Sequence, residues 1–142
     1  MADEVHDVVE GQGFAVANVE SLADGPGFRK VRRALGVTAF GVNAIEIPSG
    51  FETGRHFHEE QEELYFVHRG LVEMTFGDGA THLLGPGGLA RVDAETVRKV
   101  KNVGEETAVY LVAGGKGGYV GRDGKLPEGE TTRFGPSGQG NS

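Results

Sequence analysis

The sequence predicts an all-β fold, a jelly-roll β-barrel, and three observations carry that expectation. Apolar and polar residues alternate over short runs, turn residues bound those runs, and 25 of the 142 residues are glycines scattered without a Gly-X-Y period. Alternation with period two is the mark of a half-buried strand, and glycine supplies the positive φ that repeated tight turns need. The length suits one domain with one core. Eight or nine short strands at this spacing make a sandwich or barrel, and closing the sheet removes the edges that promote aggregation.

Residues 1–12 carry charge without period and read as a flexible N-terminal arm. The barrel is assigned to 13–114, with strands over Phe14–Val19, Gly36–Ile47, Arg55–His58, Leu64–His68, Leu71–Phe76, Ala80–Leu84, Leu89–Val92, Val97–Asn102 and Thr107–Val112. The clearest is Leu71–Phe76, where Val72, Met74 and Phe76 share one face and Glu73 and Thr75 the other. Gly77-Asp78-Gly79 then turns the chain back as a hairpin. Phe28, Val31 and Leu35 have helical spacing, so Gly27–Leu35 reads as a short helix or a strand. Residues 115–142 are rich in Gly, Pro and polar side chains and form a tail, docked in part through Tyr119, Val120 and Phe134. No repeat of 20–50 residues points to a propeller or solenoid.

Composition narrows the function. The net charge is −7, which opposes nucleic acid and anionic membranes as partners. The basic run Arg29, Lys30, Arg32, Arg33 reads as a solvated face. With no cysteine, neither disulfides nor thiolate metal sites nor a thiol nucleophile can contribute, and imidazole and carboxylate remain. The start lacks the basic and apolar stretches of a secretory signal, and no apolar run approaches the ~18 residues of a membrane span, so a cytoplasmic protein is expected.

The stretch that carries chemistry runs from Gly50 to Gly70. His56 and His58 lie two apart, so on a strand both imidazoles point to one face. Glu59 to Glu62 make a polar turn, and Glu63 opens the next strand, where its carboxylate can return to the same centre. Two nitrogens and one oxygen with open positions suit one divalent transition metal, Fe, Mn, Ni or Zn. Tyr65 shares the face of Glu63 and is read as a donor or stacking surface in the pocket, weighed against a place in the core. His68 has the opposite parity and reads as outward and solvated, and His82 as a surface or dimer-contact residue. His6 belongs to the arm. Glu59, Glu60 and Glu62 read as a solvated run that also attracts cations.

These residues resemble the cupin superfamily. Its first motif, G-x5-H-x-H-x4-E-x6-G, is matched at Gly50, His56, His58, Glu63 and Gly70 with every spacing intact. Its second, G-x5-P-x-G-x2-H-x3-N, falls on Gly87, Asp93, Glu95, Arg98 and Asn102, where only the first Gly and last Asn survive. The resemblance covers about Val37 to Ala113 and implies a small barrel, a double-stranded β-helix, holding a ligand or metal inside, and a homodimer. Arg98 stands where the family has its last metal-binding histidine. A guanidinium stays protonated and offers no lone pair, so it cannot ligate a metal.

Three readings follow. In the first, His56, His58 and Glu63 form a metal triad for an oxygenase or isomerase, with Arg98 and Tyr65 on the substrate. In the second, the pocket is metal-free: Arg98 pairs with Glu63 in place of the ion and, with the histidines, binds a small anionic ligand in a binding or sensing module. In the third, the motif is a retained scaffold in a structural partner.

Overall fold

A computed structural model describes residues 7–22, 27–29, 31–121, 123–130 and 134–136. In chain order its elements are β1 (Val9–Gly11), β2 (Phe14–Val16), a 3-10 turn (Val19–Leu22), β3 (Gly27–Arg29), α1 (Val31–Leu35), β4 (Gly41–Ile47), β5 (Phe51–Thr53), β6 (Phe57–His58), β7 (Glu62–Arg69), β8 (Val72–Phe76), β9 (Thr81–Leu84), β10 (Leu89–Val92), β11 (Arg98–Asn102), β12 (Ala108–Gly115), β13 (Gly124–Lys125) and β14 (Phe134–Pro136). Two five-stranded sheets, ordered β10-β7-β12-β4-β3 and β14-β5-β11-β8-β9, contain most of them. Every pairing is antiparallel. From β4 to β12 the chain changes sheet at nearly every connection, β8 to β9 being the hairpin that stays in one. That alternation is a jelly roll, as the sequence predicts.

The core lies between the sheets. Ile45 and Ile47 of β4, Tyr65 and Val67 of β7, and Tyr110 and Val112 of β12 face Val72 and Met74 of β8 and Val100 of β11. On β7 the alternation is strict: Glu63, Tyr65 and Val67 are buried while Leu64, Phe66 and His68 are exposed. One face therefore serves both the core and the site. Asn102, one of the two surviving second-motif residues, is buried, and its amide donates to the carbonyls of Ile47 and Glu106 at 2.8 and 2.7 Å while its oxygen accepts from Gly104 N at 2.9 Å. It ties β11 to β4 and closes the following turn.

Several segments differ from the sequence expectation. Val9–Gly11, within the stretch read as an arm, pairs with β2 around a turn in which Gly13 has φ +86°. Gly27–Leu35 is neither helix nor strand throughout: Gly27–Arg29 pairs with β4 and Val31–Leu35 is one helical turn. Phe51–Thr53 forms a strand between β11 and β14 that alternation did not signal, because its buried residues are Glu52 and Thr53. The tail pairs at two points, β13 on β6 and β14 on β5. Residues 1–6 of the arm, His6 among them, lie outside the described residues, as do the side chains of Arg29, Lys30 and Phe134. Arg32 of the basic run places its guanidinium 4.0 Å from the Tyr119 ring centroid. Among the described residues, no helix is long and apolar enough to cross a membrane.

Candidate metal centre

The site forms where β6, the start of β7 and the start of β11 meet. His56 is bridged to Arg98 by two backbone hydrogen bonds, His56 N to Arg98 O at 3.0 Å and Arg98 N to His56 O at 2.9 Å. His58, one alternation further, is fixed by its N–H donating to Ala94 O at 2.7 Å and by the register Gly124↔His58. Glu63 lies between Val92 of β10 and Gly114 of β12. A Cβ on Gly114 would fall 2.7 Å from Gln61 Oε1 and 3.1 Å from Glu63 Cγ, so this glycine makes room for the Glu63 side chain.

His56, His58 and Glu63 each bring one donor atom to a common place, all within 4.8 Å of one another. His58 Nε2 is 3.3 Å from Glu63 Oε1. The two rings meet edge to face with centroids 5.4 Å apart. Tyr65 Oη donates to the same Glu63 oxygen at 3.0 Å, and its ring stacks 5.9 Å from Tyr110. The tyrosine is a core residue whose hydroxyl holds the Glu63 carboxylate.

Arg98 is fully buried. Its Nη2 donates to Glu63 Oε1 at 3.1 Å, and Nη1 donates to the carbonyls of Ala94 and Thr96 at 3.1 and 2.7 Å. Among the described residues its Nε has no hydrogen-bond partner. Breaking such a buried pair from one side costs about 3–5 kcal/mol.

Electrostatics separate the two histidines. Burial, reinforced by the positive charge of Arg98, lowers His56 to about 4, so its ring is neutral at physiological pH. Burial also acts to lower His58, but the hydrogen bond and charge of Glu63 and the bond to Asp123 outweigh it, and the net direction is upward. Glu63 moves down: burial raises it, and His58, Arg98 and Tyr65 together win. The Tyr65 hydroxyl is pushed up by burial and by the Glu63 charge, so it stays a donor.

Asp123 was not foreseen. It sits just before β13, and its Oδ1 is 2.7 Å from His58 Nδ1. Its Oδ2 accepts from the backbone N–H groups of Glu60 and Gln61, both at 2.9 Å, and Gln61 Nε2 donates to Oδ1 as well. Burial raises this carboxyl, yet those donors and His58 hold it well below the usual carboxylate range. Asp123 is the sole acid in Tyr119–Gly124, close to the Tyr119 and Val120 expected to dock, and that is the signal available in the sequence. His68 and His82 are exposed and lie outside the cluster, His82 with its ring 6.2 Å from Phe76. Glu59 and Glu62 are exposed and pair loosely with Lys125 and Arg91 at 3.8 and 3.7 Å.

The donor set fits a divalent transition ion. His58 Nδ1 is engaged by a carboxylate and His56 Nδ1 faces the Gly54 carbonyl at 3.4 Å, so both rings are arranged to donate from Nδ1 and keep the Nε2 lone pair for a metal. The family described as "Cupin domain" matches residues 44–114, half of the chain. The chain belongs to the cupin family. No curated protein matches it. Among solved structures, this cupin is similar to an uncharacterized conserved protein with a double-stranded β-helix domain from Klebsiella pneumoniae, with TM-score 0.67, 21% identity and coverage of 80% of this chain and 96% of that one. It also resembles a sugar phosphate isomerase of the cupin superfamily from Silicibacter pomeroyi, with TM-score 0.57, 26% identity and coverage of 66% and 68%. A third neighbour is the DMSP lyase DddQ from Ruegeria pomeroyi, with TM-score 0.56, 23% identity and coverage of 65% and 46%. The chain spans less than half the length of the DMSP lyases it matches.

Proposed function

We propose that this cupin is a metal-dependent enzyme that binds one divalent transition ion through His56, His58 and Glu63 and oxidises or isomerises a small anionic molecule inside the barrel. The observation that carries this reading is the engagement of both Nδ1 atoms, which leaves two Nε2 donors beside one carboxylate. When bound, such an ion supplies Lewis acidity and open coordination positions. The chain's own residues supply the rest. Tyr65 and Arg98 hold the Glu63 carboxylate in place, and for Arg98 to anchor a substrate carboxylate the site has to open around its buried, unpartnered Nε. Fe, Mn, Ni and Zn are all compatible with the ligand set.

A second reading is favoured by one contact. The Arg98–Glu63 pair at 3.1 Å puts a fixed positive charge where the family has its last metal ligand, which suits a metal-free module that binds or senses a small anion. Elemental analysis of tag-free protein separates the two. Near-stoichiometric metal that vanishes in the His56→Ala/His58→Ala double variant is the expected result, with Arg98→Ala keeping its metal. Protein that stays metal-free after reconstitution, or an Arg98→Ala variant that gains metal affinity sharply, sinks the enzyme reading in favour of the second.

As a partner, a second copy of the chain is proposed, and a cytoplasmic setting remains part of the proposal. Leu64, Phe66 and Leu89 support the homodimer: all three are exposed on the outer face of neighbouring strands, with Leu89 opposite Phe66.

A further inference from the structure

From the hydrogen bonding of the C-terminal segment we infer that Asp123 is a positioning residue of the metal centre, holding His58 in the tautomer that presents Nε2. This rests on the metal reading above. Asp123 lies 65 residues from His58 in sequence, beyond the stretch that matches the family.

The geometry is that of a built carboxylate–imidazole pair. Asp123 Oδ1 is 2.7 Å from His58 Nδ1, and the aspartate side chain is 7% exposed. The carboxylate is itself oriented by the turn that joins β6 to β7: two backbone N–H groups on Oδ2, the Gln61 amide on Oδ1, and Glu59 N donating to the Asp123 carbonyl at 3.3 Å. An oxygen that can only accept forces the ring proton onto Nδ1. The other nitrogen, Nε2, faces Glu63 at 3.3 Å and is the atom that a metal would take. A carboxylate behind a ligating histidine fixes ring orientation and raises its basicity, and losing one typically lowers metal affinity ten- to a hundred-fold.

The same segment contains a control. Glu130 is buried and pairs with Arg55 at 3.4 Å, so Glu130→Gln disturbs the docking of the segment without touching His58.

The test measures Mn2+ and Zn2+ affinity of the full chain, with Asp123→Asn and Glu130→Gln beside it, together with imidazole 15N NMR of His58 in the metal-free and Zn2+-loaded states. The expected result is a ten- to hundred-fold loss of affinity in Asp123→Asn, a much smaller loss in Glu130→Gln, and a His58 Nδ1–H signal in wild type that the Asp123 variant loses. Equal losses in the two variants overturn the inference, since docking of the segment would then explain both. A His58 ring in wild type that carries its proton on Nε2 alone also overturns it. If the wild type binds neither ion, the metal reading fails by itself, and the Nδ1–H signal of the metal-free protein still decides whether Asp123 sets the tautomer. If Asp123→Asn does not fold, that wild-type signal decides as well.

Discussion

His56 gives the site an acid limit. Unfolded, a histidine takes up its proton near 6.5, whereas folded His56 stays neutral down to about 4. Between those values the unfolded state binds more protons, so stability falls as pH drops from 6.5 to 4, by about 3 kcal/mol for this residue alone. Its neighbour His58 has the opposite sign: raised in the fold, it contributes stability that is present below 6.5 and is lost as pH rises through its folded value. Metal-free wild type should therefore lose stability more steeply than His56→Gln between pH 6.5 and 4 in thermal melts, and equal slopes would reject the buried neutral imidazole. At this scale the sequence was informative because His56, His58 and Glu63 come from one short stretch, where strand parity puts the two histidines on one face and the next strand can bring Glu63 back to them. Arg98 was legible through its register with the family motif, which also implied its pairing with Glu63. Asp123 was not legible, since it reaches His58 from a Gly-rich segment with no periodicity to place it.

Among the elements, the turn from β7 to β8 shows why a motif glycine is fixed. Gly70 has φ +88°, and a Cβ there would lie 2.7 Å from the Cα of Ala108 on the neighbouring strand. Gly79, in the β8–β9 hairpin, has φ +91° but open space around it. Gly79→Ala is therefore expected to cost only the backbone strain, about 1 kcal/mol, and Gly70→Ala to cost about 3 kcal/mol or more because Ala108 must move as well. Urea titration of both variants checks this, and equal losses would show that the backbone conformation alone matters. The hairpin was readable from Gly77-Asp78-Gly79, and the structure adds the Asp78 side chain accepting from Ala80 N at 2.8 Å. Strand β5 was not readable, because its stabilising contacts are polar: Thr53 Oγ1 accepts from Val100 N at 2.9 Å, and Glu52 pairs with Lys99 at 3.3 Å. Hydrophobic alternation signals strands that bury apolar groups and misses strands that bury hydrogen bonds.

On the scale of the whole molecule, the same alternation that packs the inner face leaves Leu64, Phe66 and Leu89 at 47%, 37% and 61% exposure on the outer one. The proposed homodimer would cover them. Light scattering at tens of micromolar should return twice the chain mass of 15.0 kDa, and Phe66→Glu or Leu89→Glu singly should return the monomer, since each puts a charge on the exposed apolar face that the second copy would cover. A wild-type mass of 15.0 kDa would dismiss the dimer. The jelly roll itself was the most legible feature, because many short alternating strands admit few other closed arrangements.

The pairing of β13 with β6 also joins the latest-synthesised residue of the centre to the earlier ones. All strands from β4 to β12 are synthesised before residue 123, so the histidines and Glu63 can come together while the Asp123 partner of His58 has yet to emerge. During that interval the His58 ring has no carboxylate behind it and is free to choose either tautomer. Chain order thus separates the barrel that carries His56, His58 and Glu63 from the later segment that supplies the carboxylate behind His58.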